Sequence, residues 1–174
     1  MYFHEFGCMN VTGAREAFKD LPEIEVKSAL PGWVCLRIAP RLELRSAVVN
    51  FFRSYMHSLA TDLCDQLCTA LDELLGNALE HGCRFQPKSG CELTYIRTSR
   101  MILFQIRDAG MGFDVNGVAH AAINNPPHDP LRHNQARAKM GLRPGGFGIL
   151  LVKEIADDLI YNEQGNEVVL VKYL

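Results

Sequence analysis

Two hydrophobic periods alternate along this chain. Between residues 33 and 39 the apolar positions Trp33, Val34 or Cys35, Leu36 and Ile38 run close to a period of two and predict a strand. Over 42–59, Leu44, Val48, Phe51, Phe52 and Tyr55 recur at helical spacing. A second helix is predicted over 62–80, with Thr61 as its N-cap and Gly82 just past its end as the stop. After a loop at 87–90 come two strand-like stretches, 92–98 and 101–107. Only Ser99 and Arg100 separate them, so they read as an antiparallel hairpin. A glycine-punctuated turn at 108–113 leads into irregular sequence with Pro and His that runs to Gly146; a loop of that length is usually functional or mobile. A helix over 147–157 and strands at 159–162 and 167–173, around Gln164-Gly165-Asn166, close the chain. Residues 1–32 show no firm period and are punctuated by Pro22 and Pro31-Gly32, so they read as a partly ordered N-terminal extension to a domain over 33–174. Strands and helices without strict alternation predict an α+β fold: a two-layer sandwich of a mixed, mostly antiparallel sheet with helices on one face.

Composition narrows the classes. With 174 residues, 48% of them apolar and 22% charged, the chain is ordinary globular material with enough apolar content for a core. Eighteen Lys and Arg against 20 Asp and Glu give a net charge of −2, so overall charge makes no case for direct nucleic-acid or membrane binding. No apolar run approaches the roughly 18 residues of a membrane span, and Arg15, the first basic residue, lies too far along for the charged start of a secretory signal; a cytoplasmic protein is expected. Six cysteines (Cys8, Cys35, Cys64, Cys68, Cys83 and Cys91) include no CxxC pair. His81, Cys83 and Cys91 can be drawn as three zinc ligands, but a fourth has no obvious source and the spacing favours reduced thiols.

Three clusters carry candidate chemistry. On a wheel of the second helix with Glu73 at zero, Leu63, Leu67, Leu71, Leu74 and Ala78 gather roughly 80–160° away, while Asn77 falls at about 40°. Glu73 and Asn77 thus stack one turn apart at the edge of the buried stripe. Gly76 is a poor helix former in mid-helix, a broken local rule of the kind functional sites show, although from this helix alone a solvated polar face with an incidental glycine is the better reading. The second cluster, Asp108-Ala109-Gly110-Met111-Gly112-Phe113, puts a carboxylate at a strand end. The glycines there let backbone approach a ligand while the carboxylate accepts hydrogen bonds, for example from an exocyclic amine. In the third, Pro144 to Val152, glycines open a helix whose free N–H groups suit an anion such as phosphate. Val115 and Leu151 stand where GxGxxG would need its last glycine, and GxxxxGK[ST] is absent, so the common nucleotide loops are missing.

In order and spacing, Glu73-x-x-x-Asn77-Ala78, Asp108-x-Gly110-x-Gly112-Phe113 and Gly146-x-Gly148 resemble the N, G1 and G2 boxes of the GHKL (histidine kinase-like) ATPase superfamily. The ending from Gly165 to Lys172 resembles that family's closing strand, with Asn166 where Thr is common. The wording LDELLGNALEHG looks most like the bacterial anti-sigma-factor serine/threonine protein kinases of partner-switching systems. The resemblance implies the Bergerat fold, ATP and Mg²⁺ as cofactors, Glu73 as general base and Asn77 as the Mg²⁺ ligand. It further implies that Asp108 accepts from the adenine amine and that Gly110, Gly112 and Phe113 shape the adenine pocket. Gly146 and Gly148 would cradle phosphate, and a lid over 114–145, bearing Arg132, Arg137, Lys139, Arg143 and the histidines His120, His128 and His133, would bring Arg143 toward the nucleotide. The implied partners are a sigma factor, a small anti-sigma-factor antagonist, or both, with a homodimer as the implied assembly. The alternative is a catalytically silent nucleotide-binding module that sequesters a regulator.

Overall fold

A computed structural model describes residues 11–83, 89–112 and 148–174. Six strands form one sheet: β1 (Ile24–Leu30), β2 (Trp33–Ile38), β3 (Cys91–Arg97), β4 (Met101–Asp108), β5 (Asp158–Tyr161) and β6 (Glu167–Tyr173). Their spatial order is β1-β2-β3-β4-β6-β5, and each of the five pairings is antiparallel, so the sheet is less mixed than the sequence suggested. The helices among the described residues are α1 (Val11–Ala17), α2 (Leu44–Tyr55), α3 (Thr61–Asn77) and α4 (Gly148–Ile155), with one turn of π-helix at Ala78–Gly82.

Alternation along the strands explains the layers. Val34, Leu36 and Ile38 of β2, Leu93 and Tyr95 of β3, and Ile102, Phe104 and Ile106 of β4 are buried beneath the helices. The intervening positions face away from the helices. Register there aligns Glu25, Arg37, Glu92, Arg107 and Glu167 in one row across five strands, opposite charges side by side, as cross-strand pairing favours. Inside, Phe52 of α2 packs on Tyr95 at 5.2 Å and Phe104 at 5.4 Å between ring centroids. Each such buried side chain contributes about 1.5–3 kcal/mol through area removed from water.

Residues 14–30, within the stretch read as an extension, are built into this core. Ala14 and Phe18 are buried, with the Phe18 ring 4.8 Å from that of Phe51, and β1 forms an edge of the sheet. A bulge explains why β1 escapes a period-two reading. Val26 pairs with Leu36 and Ser28 with Cys35, so Lys27 is skipped and the inward positions change from Ile24 and Val26 to Ala29.

Helix ends also differ. Ala60, not Thr61, is the N-cap of α3, with no side-chain cap bond, and Asp62 supplies negative charge in the first turn. The α-helix ends at Asn77, where the chain widens into the π turn and the Cys83 N–H bonds the Ala78 carbonyl at 2.8 Å.

Candidate functional site

Helix α3 presents its faces as the wheel predicts. Leu67, Leu71, Leu74 and Ala78 are buried, while Glu73 and Asn77 are half-buried at the edge of the stripe. Gly76 makes room for a neighbouring side chain. A Cβ there would lie 2.7 Å from Nη1 of Arg45, whose Nε pairs with Asp72 of α3 at 2.8 Å.

Gly82, the expected helix stop, does not take the positive φ of a left-handed cap. Its lack of a side chain serves the carboxylate of Asp108: a Cβ on Gly82 would lie 2.2 Å from Cγ and 2.5 Å from either carboxylate oxygen. The π turn therefore lays its backbone directly on the G1 aspartate. Such turns, inserted after an α-helix, often mark functional sites.

Asp108 ends β4, paired with Cys91 of β3. Burial pushes its carboxyl above the usual carboxylate range, opposed by the Gly110 N–H, which donates to Oδ1 at 2.8 Å. Gly110 itself presses on the π turn, where a Cβ would sit 2.3 Å from the Gly82 carbonyl oxygen. Gly112 has φ of +76° and lies against the Gln164 carbonyl, so both conformation and space require glycine there.

The third cluster meets the first. A Cβ on Gly148, the first residue of α4, would lie 2.2 Å from Oε2 of Glu73. The start of α4 and the Glu73 carboxylate thus share one place, with Asn77 one turn along and Asp108 beyond the π turn. Gly82 lies nine positions after Glu73, which at helical rise is roughly 13 Å. The arrangement offers a half-buried carboxylate, Asp108, at one end and a helix N-terminus beside a carboxylate and an amide at the other. Phe113, Arg143, Gly146 and the expected lid over 114–145, with its histidines, lie outside the described residues.

Four of the described cysteines behave as core thiols, and Cys35 is half-buried. Cys64, Cys68, Cys83 and Cys91 are free and buried, and burial pushes the Cys83 and Cys91 thiols up and that of Cys68 up to about 12. Among the described residues no group of three His, Cys, Asp or Glu gathers around a common point, so the drawn zinc set of His81, Cys83 and Cys91 does not form. A separate polar cavity of about 480 Å³ opens on the other side of the G1 turn, bordered by Arg37, Glu92, Arg107, Asp108, Gly110 and Asn166; neither Glu73 nor Asn77 lines it.

A family model described as the histidine kinase-like ATPase domain matches residues 38–172. The chain belongs to the histidine kinase-like ATPase domain family. No curated protein matches it. Membership accounts for the α+β architecture and implies a domain that binds ATP. Within this ATPase domain, sequence reasoning missed the role of Gly82 and the contribution of the β5–β6 turn to G1. The signal for the second was Asn166, noticed only as a departure from Thr.

Proposed function

We propose that this chain is an ATP-dependent serine/threonine protein kinase that acts as an anti-sigma regulatory factor. The observation that supports it best is the meeting of Glu73 with the start of α4, because a carboxylate has a role there if a hydroxyl is to be deprotonated beside a bound phosphate. Glu73 is held by α3 on one side and by the close approach of Gly148 on the other. In this reading it accepts the proton of the substrate Ser or Thr hydroxyl. Asp108 accepts from the adenine amine, and the N-terminal N–H groups of α4 face phosphate oxygens. The amide oxygen of Asn77, half-buried one turn from Glu73, would hold Mg²⁺; one amide beside a carboxylate suits a hard ion whose other ligands are phosphate and water. When bound, Mg²⁺ supplies charge neutralisation between phosphates.

The partners in this reading are a sigma factor, a small antagonist protein phosphorylated on Ser or Thr, and a second copy of the chain. The compartment is the cytoplasm. No helix among the described residues is long and apolar enough to cross a membrane.

Radioactive phosphate transfer from ATP to a co-purified antagonist tests the assignment. Glu73→Gln should lower the transfer rate by at least about 100-fold, the scale of a general base, while leaving ATP affinity within a few-fold. Transfer at the unsubstituted rate would remove Glu73 from the mechanism. ATP binding without transfer by the unsubstituted protein would instead support the silent module that sequesters a regulator.

A further inference from the structure

The turn between β5 and β6 carries a side-chain network that none of the roles above uses. Asn166 is only 8% exposed, the buried polar side chain among the described residues. Its Nδ2 donates to the Gly110 carbonyl at 3.3 Å and reaches that of Asp108 at 3.5 Å, while its Oδ1 accepts from Asn162 Nδ2 at 2.8 Å. Carbonyls only accept, so the amide nitrogen has to face them and the oxygen has to face Asn162. The Asn162 oxygen in turn accepts the N–H groups of Asn166 at 3.1 Å and Glu167 at 3.2 Å. Backbone adds a further tie, the Asp108 N–H donating to the Asn166 carbonyl at 3.0 Å.

We propose that Asn166, oriented by Asn162, is a positioning residue for the base end of the nucleotide site. The chain of contacts runs from Asn162 to Asn166, then to the Gly110 carbonyl, and through the Gly110 N–H to Oδ1 of Asp108. Holding Oδ1 in this way leaves the second carboxylate oxygen to accept from an exocyclic amine. A threonine hydroxyl has one hydrogen to donate and cannot bond two carbonyls at once, whereas the asparagine amide has two and still offers an acceptor to Asn162. The inference rests on the ATP-binding reading, and its test separates the two.

Asn166→Ala and, as a milder variant at an exposed turn position, Asn162→Ala should be compared with the unsubstituted chain. Two readouts are needed: hydrogen exchange of the Gly110 amide without nucleotide, and affinities for Mg-ATP and for the Mg-triphosphate of purine riboside, which lacks the exocyclic amine. In both variants Gly110 exchange should quicken and the preference for ATP over the amine-free analogue should fall, by about tenfold for Asn166→Ala. A purely structural role would weaken both nucleotides alike. An unchanged preference in a folded variant overturns the proposal, even if Gly110 exchanges faster. Should Asn166→Ala fail to fold, Asn162→Ala carries the same comparison. If the unsubstituted chain binds neither nucleotide, the ATP reading fails by itself, and Gly110 exchange decides whether the clamp exists.

Discussion

Gly82→Ala isolates the base end of the site with a single methyl group. The added Cβ would lie 2.2 Å from Cγ of Asp108, whereas ordinary contact begins near 3.4 Å, so the carboxylate has to move by at least about 1 Å. No backbone strain accompanies this, because Gly82 does not have positive φ. The displacement breaks the 2.8 Å bond from the Gly110 N–H. For a half-buried carboxylate that regains water, the loss is about 1 kcal/mol. Thermal stability should therefore change by no more than a few degrees. Affinity is affected differently, since an amine donor loses a charged acceptor worth about 1.5–3 kcal/mol, a rise in Kd of roughly 10- to 150-fold. Titration calorimetry with Mg-ATP measures this, and circular dichroism on the same samples checks the fold. A folded Gly82→Ala protein that binds ATP within twofold of the unsubstituted chain would refute the assignment of Asp108 to the base.

Two further outcomes follow from the same geometry. Gly76→Ala should be near neutral in stability and leave Mg-ATP affinity unchanged, because its Cβ meets the far end of the Arg45 side chain, which can shift, while Ala contributes about 1 kcal/mol of helix propensity; denaturant melts and calorimetry check both. Because burial raises the Asp108 pKa and the ionised carboxylate is the stronger acceptor for an amine, ATP affinity should fall on acidification, starting at a pH above the ordinary 3.8 of an aspartate. The same sign makes the ionised group a cost to the fold that is relieved as pH drops through the folded-state pKa. Affinity that is flat with pH down to 3.8 would contradict the role.

The polar cavity lies on the outer face of the sheet, beside the contacts of Asn166 with the carbonyls of Asp108 and Gly110. Arg37, Glu92 and Arg107 border that cavity from the charged row, and Asp108, Gly110 and Asn166 border it from the turn. The G1 segment is thus a thin wall, with the π turn on one side and the cavity on the other. Its shape depends on contacts from both.

Much of this protein is legible in local patterns. The stripe on α3, the β3–β4 hairpin and the closing strand β6 all follow from periods of 3.6 and two, and the three boxes are short enough to read directly. Those patterns survive because each depends on neighbours within a few residues. Strand β1 was hidden because one bulged residue, Lys27, resets the alternation, and only pairing with β2 reveals it. What the two glycines of this stretch, Gly76 and Gly82, make room for could not be read in sequence. Gly76 makes room for an arginine of α2 and Gly82 for the Asp108 carboxylate, and a residue without a side chain carries no mark of what fills its space. Asn166 looked like a departure from a threonine, yet it is buried and bonded to a turn more than fifty residues earlier in the chain. The sequence by itself thus determined the fold class and the chemical groups available. Which of those groups touch, Glu73 with the start of α4 and Asp108 with the π turn and Gly110, was decided by tertiary packing, because such contacts join segments whose separation along the chain leaves no periodic trace.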